Sequence, residues 1–383
     1  MFYVRKIEFS PGYILPLLFT KNKSQPCGVL LRYVLFNLRF KASSTSLRNK
    51  IYCLKRFYEF VGNQNASIED LILTSASDKS KQISDLCEGY TYYILSSISS
   101  NRQSTAYRNL LLVSLIKFIE FVNQEYALSI RTALPRSFIL EPSKSNSIKR
   151  KTRDIDPKYL DTLVQISSPD SHYNPFKNDL KIRIRNMLLI SILVETGIRI
   201  GELMSLKTTS YNEIRKRFYL EISQNSSSLD TRHSPGNLKN IQSNRNIAIS
   251  KELFVLLDHY TTTLRRVFIK EPTEFLFLSE KGRPLSKQAI LDLISKLSRQ
   301  ANSILNVNHD IKPHDFRYSF ANNFLAYLVE IREYEMGKAL DELRVIMGWK
   351  VNSTMPSKYA SNFIADVANI SNLQRIQNLY DEQ

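Results

Sequence analysis

An arginine stands inside an apolar stretch of this chain. From 192 to 206 the residues Ile192, Leu193, Ile198, Leu203 and Leu206 recur at helical spacing, which reads as two buried helical turns interrupted at Thr196 and Gly197. Arg199 falls between them. A guanidinium in such a setting is costly unless it meets an anion, and Glu202, three residues on, shares its helical face. On this segment alone a structural ion pair is the plainer reading, and a phosphate-holding arginine is the other. Either requires a domain with an interior deep enough to hold both charges.

Charge narrows the partner. Fifty-three Lys and Arg against 36 Asp and Glu give a formal net charge of +17, which points to a polyanion, nucleic acid being the commonest and a charged membrane surface the rival. No apolar run reaches the ~20 residues that span a bilayer, and MFYVRKIEFS lacks the apolar core of a signal peptide, so a cytoplasmic protein with no membrane partner is expected. Cys27, Cys53 and Cys87 are odd in number and have no ligand spacing; reduced, buried thiols are expected. His172, His233, His259, His309 and His314 are too scattered for a metal cluster. No glycine-rich phosphate loop is present, so no nucleotide cofactor and no metal are expected.

With 383 residues the chain has room for two or three domains. Residues 1–26 read as a short arm, with room for one strand in FYVRKIEF. Residues 27–128 are helical throughout, in four segments (GVLLRYVLFNLRF, LRNKIYCLKRFYEFVG, QISDLCEGYTYYILSSI and AYRNLLLVSLIKFIEFVNQEYAL) that make a small bundle. Its polar faces mix bases with tyrosines, and Arg48, Lys50, Lys55, Arg56, Arg102 and Arg108 are candidate DNA contacts. A plain solvated face explains any one of them. Residues 129–155 form a linker with prolines, serines and the basic run Lys149, Arg150, Lys151 and Arg153, also candidate DNA contacts. Asp156 and Pro157 open a second domain over 156–363, with a tail helix over 364–383. In it KRFYLEIS and RNIAIS read as strands flanking a long polar loop, and FLFLS as a further short strand. The fold expected is mainly α with a small β-sheet, in two domains.

Several residues here are unremarkable one by one. His314 and Arg317, in PHDFRYSFANNF, are three apart on one helix face, with Phe316, Phe320 and Phe324 on the other. Lys239 is a loop lysine ahead of a strand. Trp349 is the one tryptophan, ten residues before Tyr359. As an ordered set, Arg199, Lys239, His314-x-x-Arg317, Trp349 and Tyr359 resemble the signature of the tyrosine recombinase, or phage integrase, family. TGIRIGEL and HDFRYSFA are the most specific stretches. The match covers roughly 150–365, while the helical segment before it resembles that family's core-binding domain in character.

The resemblance implies a helical core-binding domain and a mixed α/β catalytic domain that clamp double-stranded DNA, and four protomers on two DNA sites, aided by DNA-bending or directionality proteins. It implies Tyr359 as the nucleophile, whose phenol has an ordinary pKa of about 10, and Arg199 and Arg317 as donors to the non-bridging phosphate oxygens. Lys239 would protonate the leaving 5′-oxygen and His314 assist proton transfer. Trp349 stands where many members have a second His and could only donate a hydrogen bond. Glu202 would orient Arg199, and Asp315 would help fix its helix. Two departures are visible: Tyr318 follows Arg317 where a His is common, and the interval from Trp349 to Tyr359 is one residue longer than usual, with Pro356 inside it. Two rival functions share this fold: a DNA-binding accessory protein without useful catalysis, and a type IB topoisomerase that works without pairing two duplexes.

Overall fold

The computed structural model describes residues 2–10, 13–21, 25–39, 44–73, 78–96, 105–131, 154–223, 230, 232 and 243–381. The chain divides into two units, Met1–Ile148 and Lys149–Gln383.

The first unit begins with an antiparallel hairpin, β1 (Phe2–Ser10) and β2 (Tyr13–Thr20). The segment expected as an arm is therefore part of the core: Leu15, Leu17, Leu18 and Phe19 are buried in the same cluster as the helices. Among the described residues five helices follow, α1 (Gly28–Arg39), α2 (Ser44–Asn63), α3 (Ile68–Leu73), α4 (Lys79–Ser96) and α5 (Thr105–Tyr126). Four match the expected segments. The fifth, α3, has too few residues to show a period, yet its Glu69 accepts from the Val29 amide at the start of α1 (3.0 Å) and from the Tyr58 hydroxyl (2.8 Å), supplying a donor-hungry helix start with an acceptor. Cys27, Cys53 and Cys87 are buried in this unit and form no disulfide with one another, and burial pushes the Cys87 thiol up to about 12.

The first helix of the second unit is capped by Asp156, whose carboxylate accepts from the Tyr159 amide (3.2 Å), with Pro157 in the first turn of α6 (Pro157–Ser167). Next come α7 (Leu180–Thr196) and α8 (Ile200–Ser205), then a three-stranded antiparallel sheet in order β3 (Tyr211–Ile214), β4 (Arg217–Ile222), β5 (Arg245–Ile249). Strand β3 escapes a sequence reading because its hairpin turns on Arg215 and Lys216, both at positive φ, in place of the usual Asn or Gly. The expected strand FLFLS forms only single bridges, Lys207 to Phe275 and Leu278 to Pro284; its apolar run reflects burial of Phe275, Leu276, Phe277 and Leu278, with no ladder beside it.

The remaining α-helices among the described residues are α9 (Lys251–His259), α10 (Lys287–Leu305), α11 (Pro313–Ala326), α12 (Met336–Ile346), α13 (Met355–Tyr359) and α14 (Ser361–Asp381). One large core takes in α6 to α10 and the sheet. A smaller one, with Tyr318, Leu343, Met347, Trp349, Tyr359 and Phe363, joins α11 to α14. The chain is thus mainly helical with small sheets. No helix among the described residues is long and apolar enough to cross a membrane.

Candidate active site

The break between α7 and α8 places Arg199. Gly197 ends α7 at φ 56°, and a side chain there would meet Phe320 at 2.7 Å, so only glycine fits this crossing. Two residues on, Arg199 precedes α8 and forms a reciprocal pair with Glu202. The Arg199 amide donates to Glu202 Oε2 (2.9 Å) and Arg199 Nη1 to Glu202 Oε1 (2.8 Å). Glu202 is 1% exposed and Arg199 22%, so the carboxylate is interior while the guanidinium keeps a surface outlet. Burial alone would push the Glu202 carboxyl up; Arg245 first, then Arg317 and Arg199, hold it below its ordinary value.

Arg317 is 0% exposed. Its Nη1 donates to the Gly197 carbonyl (2.8 Å) and its Nη2 to the Met347 carbonyl (2.7 Å), while Nε has no partner among the described residues. Trp349 and Tyr359 wall it in, with ring centroids 5.2 and 5.7 Å from the guanidinium carbon. Burial, then the neighbouring Arg199 guanidinium, lower Arg317 to about 9, which leaves it cationic at neutral pH. The helix expected to show one polar face is buried on both, because Phe316 packs into the larger core and Tyr318 into the smaller.

Tyr359 is 3% exposed, and its hydroxyl contacts His314 Nε2. Its ring stacks on Tyr318 (centroids 4.3 Å, interplanar angle 19°) and lies tilted against Trp349 at 5.0 Å. Burial raises the phenol's pKa, against the pull of Arg317 and Arg199. Pro356 sits in the first turn of α13, and its carbonyl accepts from the Ala360 amide (2.9 Å). The Trp349 indole nitrogen is buried without a partner among the described residues, a donor held ready. Asp315 lies at the start of α11, where its Oδ2 accepts from the Lys312 amide (2.8 Å). Arg199, Glu202, His314, Arg317, Trp349 and Tyr359 thus share one neighbourhood. Lys239 lies outside the described residues.

Arg245, at the start of β5, is absent from the sequence-derived set. Its Nη2 donates to Glu202 Oε2 (3.0 Å), its Nε to the Ile346 carbonyl (2.7 Å) and its Nη1 to the Ser243 carbonyl (2.8 Å). One guanidinium therefore joins β5, α8 and the end of α12. Gly348, at φ 63°, passes so close that a side chain there would meet Arg245 Nη1 at 2.8 Å. A point inside the polar loop is fastened as well. Arg232 pairs with Asp230 (2.7 Å) and donates to the carbonyls of Met204 (2.8 Å) and Leu285 (3.2 Å). The visible signal for Arg245 is an arginine opening a strand whose last three residues, Ile247, Ala248 and Ile249, are apolar.

Of the candidate DNA contacts in the first unit, Arg48 lies over Tyr52 and Arg56 over Tyr107, Lys55 pairs with Glu59 (3.3 Å), and Lys50 donates to Asn37 Oδ1 (2.6 Å). Arg108 is a correction: it is 7% exposed, on a helix whose neighbouring positions Leu111, Leu112 and Leu115 face the core, so it offers no surface charge. Arg102, Lys149, Arg150, Lys151 and Arg153 lie outside the described residues.

Comparison with known proteins places this geometry. The chain is similar to tyrosine recombinase XerD of Staphylococcus haemolyticus, 28% identical over 149 residues, covering 39% of this chain and 43% of XerD. It is also similar to XerC of Bacillus licheniformis, 27% identical over 156 residues, covering 39% and 44%. The matched stretch spans less than half the length of each of these relatives. In fold it is similar to XerH site-specific recombinase bound to palindromic difH substrate (TM-score 0.57, 16% identity, 88% of this chain and 81% of that one). A second likeness in fold is to the Tn1549 transposon integrase in complex with circular intermediate DNA (TM-score 0.57, 16% identity, 91% and 98%). The model of the phage integrase family matches residues 155–364, more than half of the chain and all of the neighbourhood around Tyr359, and the chain belongs to that family.

Proposed function

We propose that this protein is a site-specific DNA recombinase that cleaves and rejoins strands through a 3′-phosphotyrosyl intermediate. The observation that carries this reading is Tyr359: its hydroxyl meets a histidine nitrogen while its ring lies against a buried guanidinium. A packing tyrosine has no use for either neighbour. In the reaction, Tyr359 Oη attacks phosphorus, the bond from phosphorus to the 5′-oxygen breaks, His314 Nε2 takes the phenol's proton, and Lys239 gives one to the leaving oxygen. Negative charge grows on the non-bridging oxygens, where Arg199, Arg317 and the Trp349 indole N–H donate. Glu202 and Asp315 hold Arg199 and α11 in place. The phosphotyrosyl bond conserves the energy of the phosphodiester, so the released 5′-hydroxyl of a partner strand can reverse the step without a nucleotide cofactor.

Arg317 and Tyr359 are both covered in this arrangement. A scissile phosphate reaches them only when the segment from Trp349 to Tyr359 shifts, so DNA engagement and assembly of the site are one event. The partner is double-stranded DNA, met by Arg48, Lys55 and Arg56 of the first unit and by the basic run at 149–153. Beyond Phe363, α14 leaves Ile370 and Leu373 exposed, which supports packing on a second protomer and a tetramer on two DNA sites, in the cytoplasm, with accessory proteins setting direction.

The test uses nicked duplexes drawn from both flanks of the protein's gene, mixed with the full chain, denatured in detergent and examined for attached protein. An adduct mapping to the peptide that contains Tyr359 supports the reading, and Tyr359→Phe should abolish it while keeping DNA affinity. Adduct persisting in that variant means another nucleophile. Tight binding with no adduct favours the accessory protein, and relaxation of supercoils without joining of two duplexes favours the topoisomerase.

A further inference from the structure

One buried carboxamide holds the backbone of Tyr359. Asn322, on α11, donates through Nδ2 to the carbonyls of Tyr359 (3.1 Å) and Tyr318 (3.0 Å) and to Asp154 Oδ1 (2.6 Å), and its Oδ1 accepts from the Phe363 amide (3.1 Å). Each atom of the side chain has a distinct task. Phe363 is in the first turn of α14, where amides lack intrahelical partners, and Ala360, which precedes that helix, has no side-chain acceptor. Asn322 Oδ1 supplies one from another helix. The nitrogen, meanwhile, joins the carbonyl of Tyr359 to a residue at the entry of the second unit. That entry is docked twice on α11, since the amide of Ile155 also donates to Ser319 Oγ (2.7 Å). In sequence Asp154 directly follows the basic run that ends at Arg153.

We infer that Asn322 is a positioning residue for the nucleophile, latching the backbone of Tyr359 to Asp154, so that the reach of the phenol depends on how the entry segment is docked. This rests on Tyr359 being the nucleophile. The latch acts on main chain and touches no reacting atom. Its loss lets the junction of α13 and α14 drift, and a drift of about 1 Å at a reacting group slows chemistry by on the order of 100-fold.

The chemistry of the carboxamide separates latch from cap. Asn322→Asp keeps the acceptor for Phe363 and removes both donors, setting a carboxylate against Asp154. Asp154→Ala removes the far end of the latch and leaves the core side chain untouched. Asp154→Asn keeps an oxygen that can accept. On the nicked duplex that gives the wild-type adduct, Asn322→Asp should cleave roughly 10- to 100-fold more slowly at saturating DNA, and Asp154→Ala about tenfold more slowly. Half-saturating DNA should be unchanged in both, and Asp154→Asn should behave as wild type. If Asn322→Asp does not fold, the two Asp154 variants carry the same comparison. Wild-type cleavage rates in the folded variants, or losses that track weaker DNA binding and a lower melting temperature with no rescue by Asp154→Asn, would overturn the latch. A wild-type chain that forms no adduct at Tyr359 would instead sink the nucleophile assignment.

Discussion

Arg245 and Glu202 lie 43 residues apart in sequence and make a two-pronged contact, with Arg245 Nη2 3.0 Å and Nη1 3.4 Å from the two carboxylate oxygens. The same carboxylate grips the backbone and the guanidinium of Arg199. Arg245 is thus a structural cation behind a candidate phosphate-binding one. Arg245→Ala should leave Glu202 short of a buried partner and the Ile346 carbonyl without a donor, at a cost of about 3–5 kcal/mol and a fall in melting temperature on the order of 10 °C. Thermal denaturation of the full chain checks this. Lysine at 245 keeps the charge and lacks the fork, so it should recover part of the loss. Unchanged melting in Arg245→Ala would show that the ion pair is dispensable.

Glu202 also predicts an acid response. Its folded pKa lies below its ordinary value, so its contribution is fully present above the unfolded carboxylate pKa of about 4.3 and is lost as pH falls through the lower folded value. Denaturant unfolding measured from pH 7 downward should show stability declining below about pH 5, with a shallower decline in Glu202→Gln. An identical slope in the two proteins would remove Glu202 as a source of acid sensitivity.

Arg199→Ala and Arg317→Ala should each slow adduct formation by roughly 100- to 1,000-fold while DNA affinity falls far less. The two should differ in stability. Arg317 is enclosed and holds the carbonyls of Gly197 and Met347, so its loss should also lower the melting temperature, whereas the partly open Arg199 should cost less. Equal losses of cleavage and binding in both would make them ordinary phosphate anchors.

Local signals carried much of this fold. The three-residue spacing of His314 and Arg317 is visible because a helix places such pairs on one face, that of Arg199 and Glu202 because a residue just ahead of a helix meets the third residue inside it, and the long helices announce themselves by apolar period. What escaped has its cause elsewhere in the chain. Asn322 is meaningful only beside Asp154 and Tyr359, 168 and 37 residues away, and Arg245 only beside Glu202 and Ile346. Arg108 looked like a surface base because charge suggests water, yet its helix turns that position inward. The opening hairpin was read as an arm because its inward Leu15, Leu17 and Leu18 are few, and only the helices beneath them make them a core face.

The three thiols of this chain all belong to the first unit, and all are buried. The second unit is a cysteine-free background. A single cysteine introduced on its surface, for instance at an exposed position of α14, would ionise and react with maleimide dyes far sooner than the shielded native thiols. The protein as it stands is therefore ready for site-selective labelling, and fluorescence from one such probe could time the motion of the tail helix as DNA arrives, without first stripping out any native residue.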